Sequence, residues 1–269
     1  MATVRLDQKS RAIVRSISES YINAIAGYFG SGPTDINEAK AQHKAYSSAL
    51  SSNGVAVTTL DADQNHPDCV FVEDQAVVID GHVLLPVAGH ESRRGEQPPI
   101  ADFLLGQLQN HQISKMHPPA MMDGGDILRL GDLFFVGRST RTNDAGITEL
   151  KSLLDRLGHE LRVIDIPSHA LHLTSICSTP SDQLILVPDG YLDTESFGEM
   201  PDGCEIIIVP KEEVYGCNTL GLPGNKVIVA EGYPTVKLEL ESRGFECIVI
   251  DMSQIRAADG SLTCCSIFY

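Results

Sequence analysis

One succession of elements recurs along the chain: two short apolar runs, a helical stretch, then a third apolar run. Residues 34–53, TDINEAKAQHKAYSSALSSN, place Asp35 and Glu38 in capping-box spacing and stop before Gly54, so they read as a helix. VAVTTL then alternates like a strand. CVFVED and AVVID follow, a turn at Gly81 leads into HVLLPV, and IADFLLGQLQNH (100–111) reads as the next helix. The third round opens with GGDILRLGDLFFVG, two apolar runs around Gly131-Asp132, a strong hairpin signal. A helix over 144–157 places Ile147, Leu150, Leu154 and Leu157 on one face, with Gly158 as its stop and LRVIDI as the strand after it. The fourth round runs LTSIC, QLILVPD, CEIIIVP. The fifth runs NTLGL, NKVIVAE, the helix PTVKLELESR, Gly244 and the strand FECIVIDM.

A polar landmark stands near the start of each round: Asp68, Asp123, His172, Asn218 and Cys264, at intervals of 55, 49, 46 and 46 residues. A period of this length implies similar units closed into a ring, with the N-terminal RAIVRSI pairing with the C-terminal end. An ordinary mixed α/β sheet with regular spacing is the alternative. In a ring the landmarks occupy equivalent positions and converge on the axis. That would bring two carboxylates, a histidine and a cysteine into one pocket: a nucleophile, a base and an orienting acid.

Composition narrows what such a pocket serves. No run of about 18 apolar residues spans a membrane, and the N-terminus lacks the apolar core of a secretory signal, so a cytoplasmic protein with reduced cysteines is expected. The seven cysteines form no C-x-x-C pair, which argues against structural zinc. A formal charge of −16 argues against nucleic acid and anionic membranes and suits a cationic small molecule.

The residues leave alternatives. DGSLTCCSIFY, 259–269, carries two adjacent cysteines, Cys264 and Cys265. On a strand they face opposite ways, so one at most looks into a given site. Both could be buried small hydrophobes, and His172, between leucines, could be a core histidine. Asp68 and Asp74 are six residues apart and share a face of a regular strand, with Glu73 opposite; a solvated acidic loop is the alternative. Asp123 is the carboxylate expected to orient His172, with Asp126 of the same DGGD as competitor. Two carboxylates without further ligands are poor grounds for a metal.

PDCVFVEDQAVV, SRRGE, MDGGDIL, FFVGRSTRTN, LHLTSICS and DGSLTCCS, in this order, resemble signature stretches of the dimethylarginine dimethylaminohydrolases, in the guanidino-modifying superfamily. The resemblance runs from about residue 15 to 266 and is weakest over 18–32, where the family has its lid. It implies a single catalytic domain over 1–269, a five-bladed pseudo-symmetric α/β propeller of ββαβ units. It implies Cys264 as nucleophile, His172 as general acid then base, and Asp123 as orienting acid. For the substrate it implies Asp74 at the guanidinium, Asp68 at the α-ammonium with the Ala258 carbonyl, Glu73 as an added contact, and Arg93 and Arg141 at the α-carboxylate. The implied reaction turns Nω-methylated arginines into citrulline and methylated amine through a Cys-thiouronium, with no cofactor and no metal, in a monomer or homodimer. Two other readings stay open: an arginine deiminase using the same constellation, and a non-catalytic binding propeller.

Overall fold

The computed structural model describes residues 3–107 and 113–269. Its first blade holds β1 (Arg11–Arg15) and β2 (Ala56–Leu60), parallel and joined by helix α1 (Ile36–Ser52). The Asp35 carboxylate caps that helix, accepting the amides of Asn37 and Glu38 at 2.9 and 3.0 Å. The second blade pairs β3 (Val77–Ile79) antiparallel with β4 (His82–Leu85), then crosses through α2 (Gln97–Gln107) to a parallel β5 (Ile113–Lys115). The last residues of the helix expected over 100–111 lie outside the described residues. The third blade repeats the pattern with β6 (Ile127–Leu130), β7 (Leu133–Arg138), α3 (Asp144–Leu157) and β8 (Glu160–Asp165). Asn143 caps α3, and Gly158 ends it at φ 81°, a left-handed turn that favours glycine.

The fourth blade follows the helical turn α4 (Leu173–Ile176) and contains β9 (Ser178–Ser181), β10 (Leu184–Pro188) and β11 (Glu205–Val209). Its crossover has one 3₁₀ turn, Thr194–Phe197, where the other blades have a full helix. The fifth has β12 (Leu220–Leu222), β13 (Lys226–Ala230), α5 (Pro234–Ser242) and β14 (Glu246–Ile250). After the short α6 (Ser253–Arg256), the chain returns to the first blade. There β15 (Ile267–Phe268) pairs antiparallel with β1 through Ala12–Phe268 and Ile13–Ile267. Every sheet is thus an antiparallel pair plus a parallel third strand, and the chain forms a five-bladed α/β propeller closed by its two ends.

Burial follows from position in the blade. The first strand of the second, third, fifth and closing blades is wholly buried, and so is β10; the outermost strands β2, β8, β11 and β14 mix buried or half-buried positions with exposed ones. Strands covered on both faces need continuous apolar runs; those facing water on one side alternate. No helix among the described residues is long and apolar enough to cross a membrane.

Two readings of the sequence need correction. CVFVED is not a strand: Val72–Gln75 is a 3₁₀ turn. LTSIC is not a strand either, since Leu173–Ile176 is helical and His172 is its extended N-terminal neighbour. Both runs are apolar because they are buried, and burial without a period does not distinguish a short turn from a short strand.

Candidate active site

A helical turn precedes the first strand of every blade. These turns are Val72–Gln75, Gly124–Asp126, α4, Lys211–Cys217 and Thr263–Cys265, and they pack against one another around the axis. Four of them carry or adjoin one landmark, and Asp68 stands four residues before the first. The side chain of Asn218 cross-ties the ring, donating to the Thr174 carbonyl at 2.6 Å and accepting the Thr263 amide at 3.1 Å. It does not reach the cavity. Two glycines let the turns approach. A Cβ on Gly124 would lie 2.1 Å from the Glu73 carbonyl oxygen, and one on Gly125 would lie 2.8 Å from His172 Nδ1. Gly124→Ala is therefore expected to cost about 1–3 kcal/mol of stability in urea unfolding, because a backbone atom cannot yield as a side chain can.

The cavity these turns enclose measures about 420 Å³ including its open mouth, and Asp68, Asp74, Arg93, Arg141, His172, Ala258 and Cys264 all line it. Of the expected site residues, only Asp123 and Glu73 are set back from its surface. Asp123 lies behind the imidazole: its Oδ2 is 3.0 Å from His172 Nε2, while its Oδ1 accepts the Gly89 amide at 2.8 Å. The competitor Asp126 has another task. It accepts the hydroxyls of Ser139 and Thr142 at 2.6 Å each and the Leu173 amide at 3.0 Å, so it holds the loop bearing Arg141 against the turn that follows His172. Burial pushes its carboxyl up to about 6, against the pull of His172 and the two hydroxyls. Glu73 is fully buried and accepts the Thr263 hydroxyl at 2.8 Å, behind the turn that bears Cys264.

The cysteine pair is not on a strand, which corrects the geometry read from the sequence. Thr263–Cys265 is a 3₁₀ turn, where successive side chains point about 120° apart. Cys264 retains 6 % exposure, on the cavity, whereas Cys265 retains none and points its thiol at the Ser261 carbonyl, 3.5 Å away. Burial, with Glu73 and Asp74 nearby, pushes the Cys264 thiol up to about 12; a hydrogen bond from Ser261 pulls the other way. Burial alone would push His172 down. Asp74, the hydrogen bond to Asp123 and the charge of Asp126 outweigh it and raise the imidazole to about 9, so it is an imidazolium at neutral pH. Burial would raise Asp74, but His172, Arg93 and the Gly125 amide hold it below the usual carboxylate range.

The two arginines differ. Arg93 is buried and already engaged: Nη1 meets Asp74 at 2.5 Å, Nε and Nη2 meet Glu96, and Nη2 also donates to the Phe71 carbonyl at 2.7 Å. Arg141 is freer, with its nearest carboxylate, Asp123, at 3.7 Å. Glu96 escaped sequence reading, although it stands three residues after Arg93 on the same local turn. So did Asp259. Its carboxylate gathers the amides of Gly27, Tyr28, Phe29 and Gly30 at 2.6–3.1 Å and ties the 25–30 loop over the cavity, which Ile25 and Tyr28 help to line. Asp68 Oδ1 accepts the Ile25 amide at 3.0 Å, fixing the loop's other end.

The site can therefore present a thiol, a proton-bearing imidazole and two carboxylates to a cation held away from water. Asp74, Asp123 and His172 also place one donor atom each within 4.8 Å of one another, but each is already bonded to a protein partner.

The family model described as N,N dimethylarginine dimethylhydrolase, eukaryotic, matches residues 18–268. The N(G),N(G)-dimethylarginine dimethylaminohydrolase of Streptomyces coelicolor is 30% identical over 96% of this chain and 96% of its own. The enzyme of that name from Pseudomonas aeruginosa is 28% identical over 96% and 95%. A structure of a dimethylarginine dimethylaminohydrolase from Pseudomonas aeruginosa, a cysteine-to-serine mutant with citrulline, superposes with a TM-score of 0.87 at 28% identity, covering 97% of this chain and all of that one.

Proposed function

Because this chain belongs to the dimethylarginine dimethylaminohydrolase family, we propose that it hydrolyses asymmetric dimethylarginine and monomethylarginine to citrulline and dimethylamine or methylamine, within one catalytic unit. The observation that carries this reading is the joining of Cys264, the His172 imidazolium and the carboxylates of Asp68 and Asp74 in one cavity under a tethered loop. Asp74, held ionised, meets the substrate guanidinium, whose planar fork matches a carboxylate. Asp68 and the Ala258 carbonyl face the α-ammonium. Arg141 takes the α-carboxylate with Arg93 beside it, and Glu73 acts from behind the nucleophile.

The cation also supplies what the resting thiol lacks. A guanidinium beside Sγ favours the thiolate, whose proton leaves to solvent as substrate docks. The thiolate attacks the guanidinium carbon, giving a tetrahedral adduct. His172 gives its proton to the methylated nitrogen, the C–N bond breaks, and amine departs from an S-alkylthiouronium on Cys264. The neutral imidazole, oriented by Asp123, then takes a proton from water. The resulting hydroxide adds to the thiouronium carbon; as the adduct collapses, its hydroxyl proton passes to the departing sulfur, so that Cys264 leaves as the thiol, citrulline is released and His172 is again an imidazolium.

Citrulline release from arginine and its mono-, asymmetric and symmetric dimethyl forms tests the reading. Faster release from arginine than from any methylated form would replace it with a deiminase, and no release from any would remove it. Arg141→Ala should raise KM for free methylarginines about 30–100-fold, since it deletes one partner of a shielded ion pair. A substrate analogue lacking the α-carboxylate should lose far less. Equal losses for both compounds would separate Arg141 from the carboxylate.

A further inference from the structure

The nucleophile has a polar neighbour with no counterpart among the roles assigned so far. Ser261 Oγ lies 3.2 Å from Cys264 Sγ, both buried. Among the described residues no other side chain hydrogen-bonds that sulfur; His172, across the cavity, bonds to Asp123 instead. Ser261 is turned inward by the two residues before it. Asp259 adopts a left-handed φ of 59°, and Gly260 passes so close beneath Phe71 that a Cβ would lie 2.1 Å from the ring. The Ser261 carbonyl meanwhile receives the Cys265 thiol. One residue thus treats the adjacent cysteines oppositely: it offers a donor to the first and an acceptor to the second.

We propose that Ser261 is a further catalytic residue, whose hydroxyl accepts the S–H of the resting Cys264 thiol and, once that proton leaves, turns to donate to the thiolate and hold it aimed at the cavity. The need for such a donor is plain from the surroundings. Glu73 and Asp74 face the sulfur from the neighbouring turn and oppose its ionisation, as does burial. The phenols of Tyr21, Tyr46 and Tyr215 lie behind it, all pushed upward by burial and so uncharged near neutrality. Across the cavity stand the His172 and Arg141 cations, Asp68, and Arg93 paired to Asp74. The hydroxyl and amide of Ser261 are the groups whose hydrogen bonds favour the anion.

This proposal takes from the hydrolase reading the identity of the nucleophile, and its test separates the two. Full-length wild type and Ser261→Ala are alkylated with iodoacetamide across a pH range, and Cys264 labelling is followed by peptide mass. Loss of a donor to the thiolate should raise the apparent pKa of labelling by about one unit, so labelling at neutral pH slows about tenfold. The gap should hold at about tenfold through neutral pH and narrow in brief alkaline pulses as the pH nears the wild-type midpoint of about 12. The kcat/KM for dimethylarginine should fall by the same factor, with its profile displaced to higher pH. A merely structural serine would lower both limbs without displacing the midpoint, and that result, or coincident curves, overturns the proposal. Displaced labelling in a protein that releases no citrulline would sink the hydrolase reading and leave Ser261 standing. Should Ser261→Ala fail to fold by circular dichroism, Ser261→Gly removes the same hydroxyl and is read identically.

Discussion

Cys264→Ser should lower citrulline release from dimethylarginine by at least about 10⁴-fold, to the limit of detection, while methylarginine still binds. A serine hydroxyl is a poor nucleophile unless a base takes its proton, and here the nearest base is already occupied. His172 holds its proton to about pH 9 and faces the leaving nitrogen in the proposed mechanism. Binding survives because Asp74, Asp68 and Arg141 do not depend on the sulfur. Cys265→Ser is the matched control. Its side chain is sealed from the cavity, so turnover should persist with a stability loss of about 1–2 kcal/mol; the nearby Ser261 carbonyl gives the new hydroxyl a partner and limits the loss. A cationic haloacetamidine should label Cys264 faster than the neutral haloacetamide at neutral pH, since it brings the charge that ionises the thiol. Label on Cys265 with Cys264 untouched, or full turnover by Cys264→Ser, would overturn the assignment.

The second large effect is expected at Asp74. Asp74→Asn keeps the shape of the side chain and its place beside the Gly125 amide but removes the charge facing Arg93 and the substrate cation. The kcat/KM should fall about 10²–10³-fold, the scale for breaking a buried charged contact. A second signature separates this from simple loss of affinity. Against burial, Asp74 is the largest influence that raises His172. Without that carboxylate the imidazolium releases its proton at lower pH, so the alkaline limb of the rate profile, where the general acid is lost, should move to lower pH by about a unit. An unchanged limb with a large loss of rate would leave Asp74 to binding alone. Near wild-type kcat/KM would take it out of the site.

The ring was legible because its units are long enough to carry a period: an antiparallel strand pair, a helix and a parallel strand recur in four of the five blades, and only the fourth blade's crossover lacks the helix. The turns that bear the chemistry were not. A turn of three or four buried residues shows neither the alternation of a strand nor the stripe of a helix, so VEDQ and TCC passed for extended chain. Strand parity set Asp74 opposite Glu73 and Cys264 opposite Cys265, and the family resemblance turned Asp74 and Cys264 inward; a 3₁₀ turn, not a pleat, separates the members of each pair. Landmark spacing found Asp68, His172 and Cys264 at the cavity wall and Asp123 behind it, and pointed as well to Asn218, which does not reach the cavity; Asp74, Arg93, Arg141 and Ala258 came from the family resemblance. It could not find Glu96, Asp259 or Ser261, whose importance lies in what they touch: a neighbouring arginine, the amides of a loop more than 200 positions away, and a sulfur three residues on.

The pairing of β15 with β1 bears on when the protein becomes competent. Synthesis delivers β1 before the other blades, with one edge open, and withholds its partner until those four blades have been made. Until then the first blade lacks its innermost strand, and the turn carrying Cys264 does not exist. Joining these distant segments carries a closure entropy that grows only logarithmically with the intervening length, so the final state loses little by it. The order of events is another matter: contacts this remote form late and slowly. The blades can mature one after another as the ribosome moves, but the nucleophile arrives in the same stroke that seals the ring. A nascent chain, or one cut short before Cys264, is therefore both open at its axis and without its thiol.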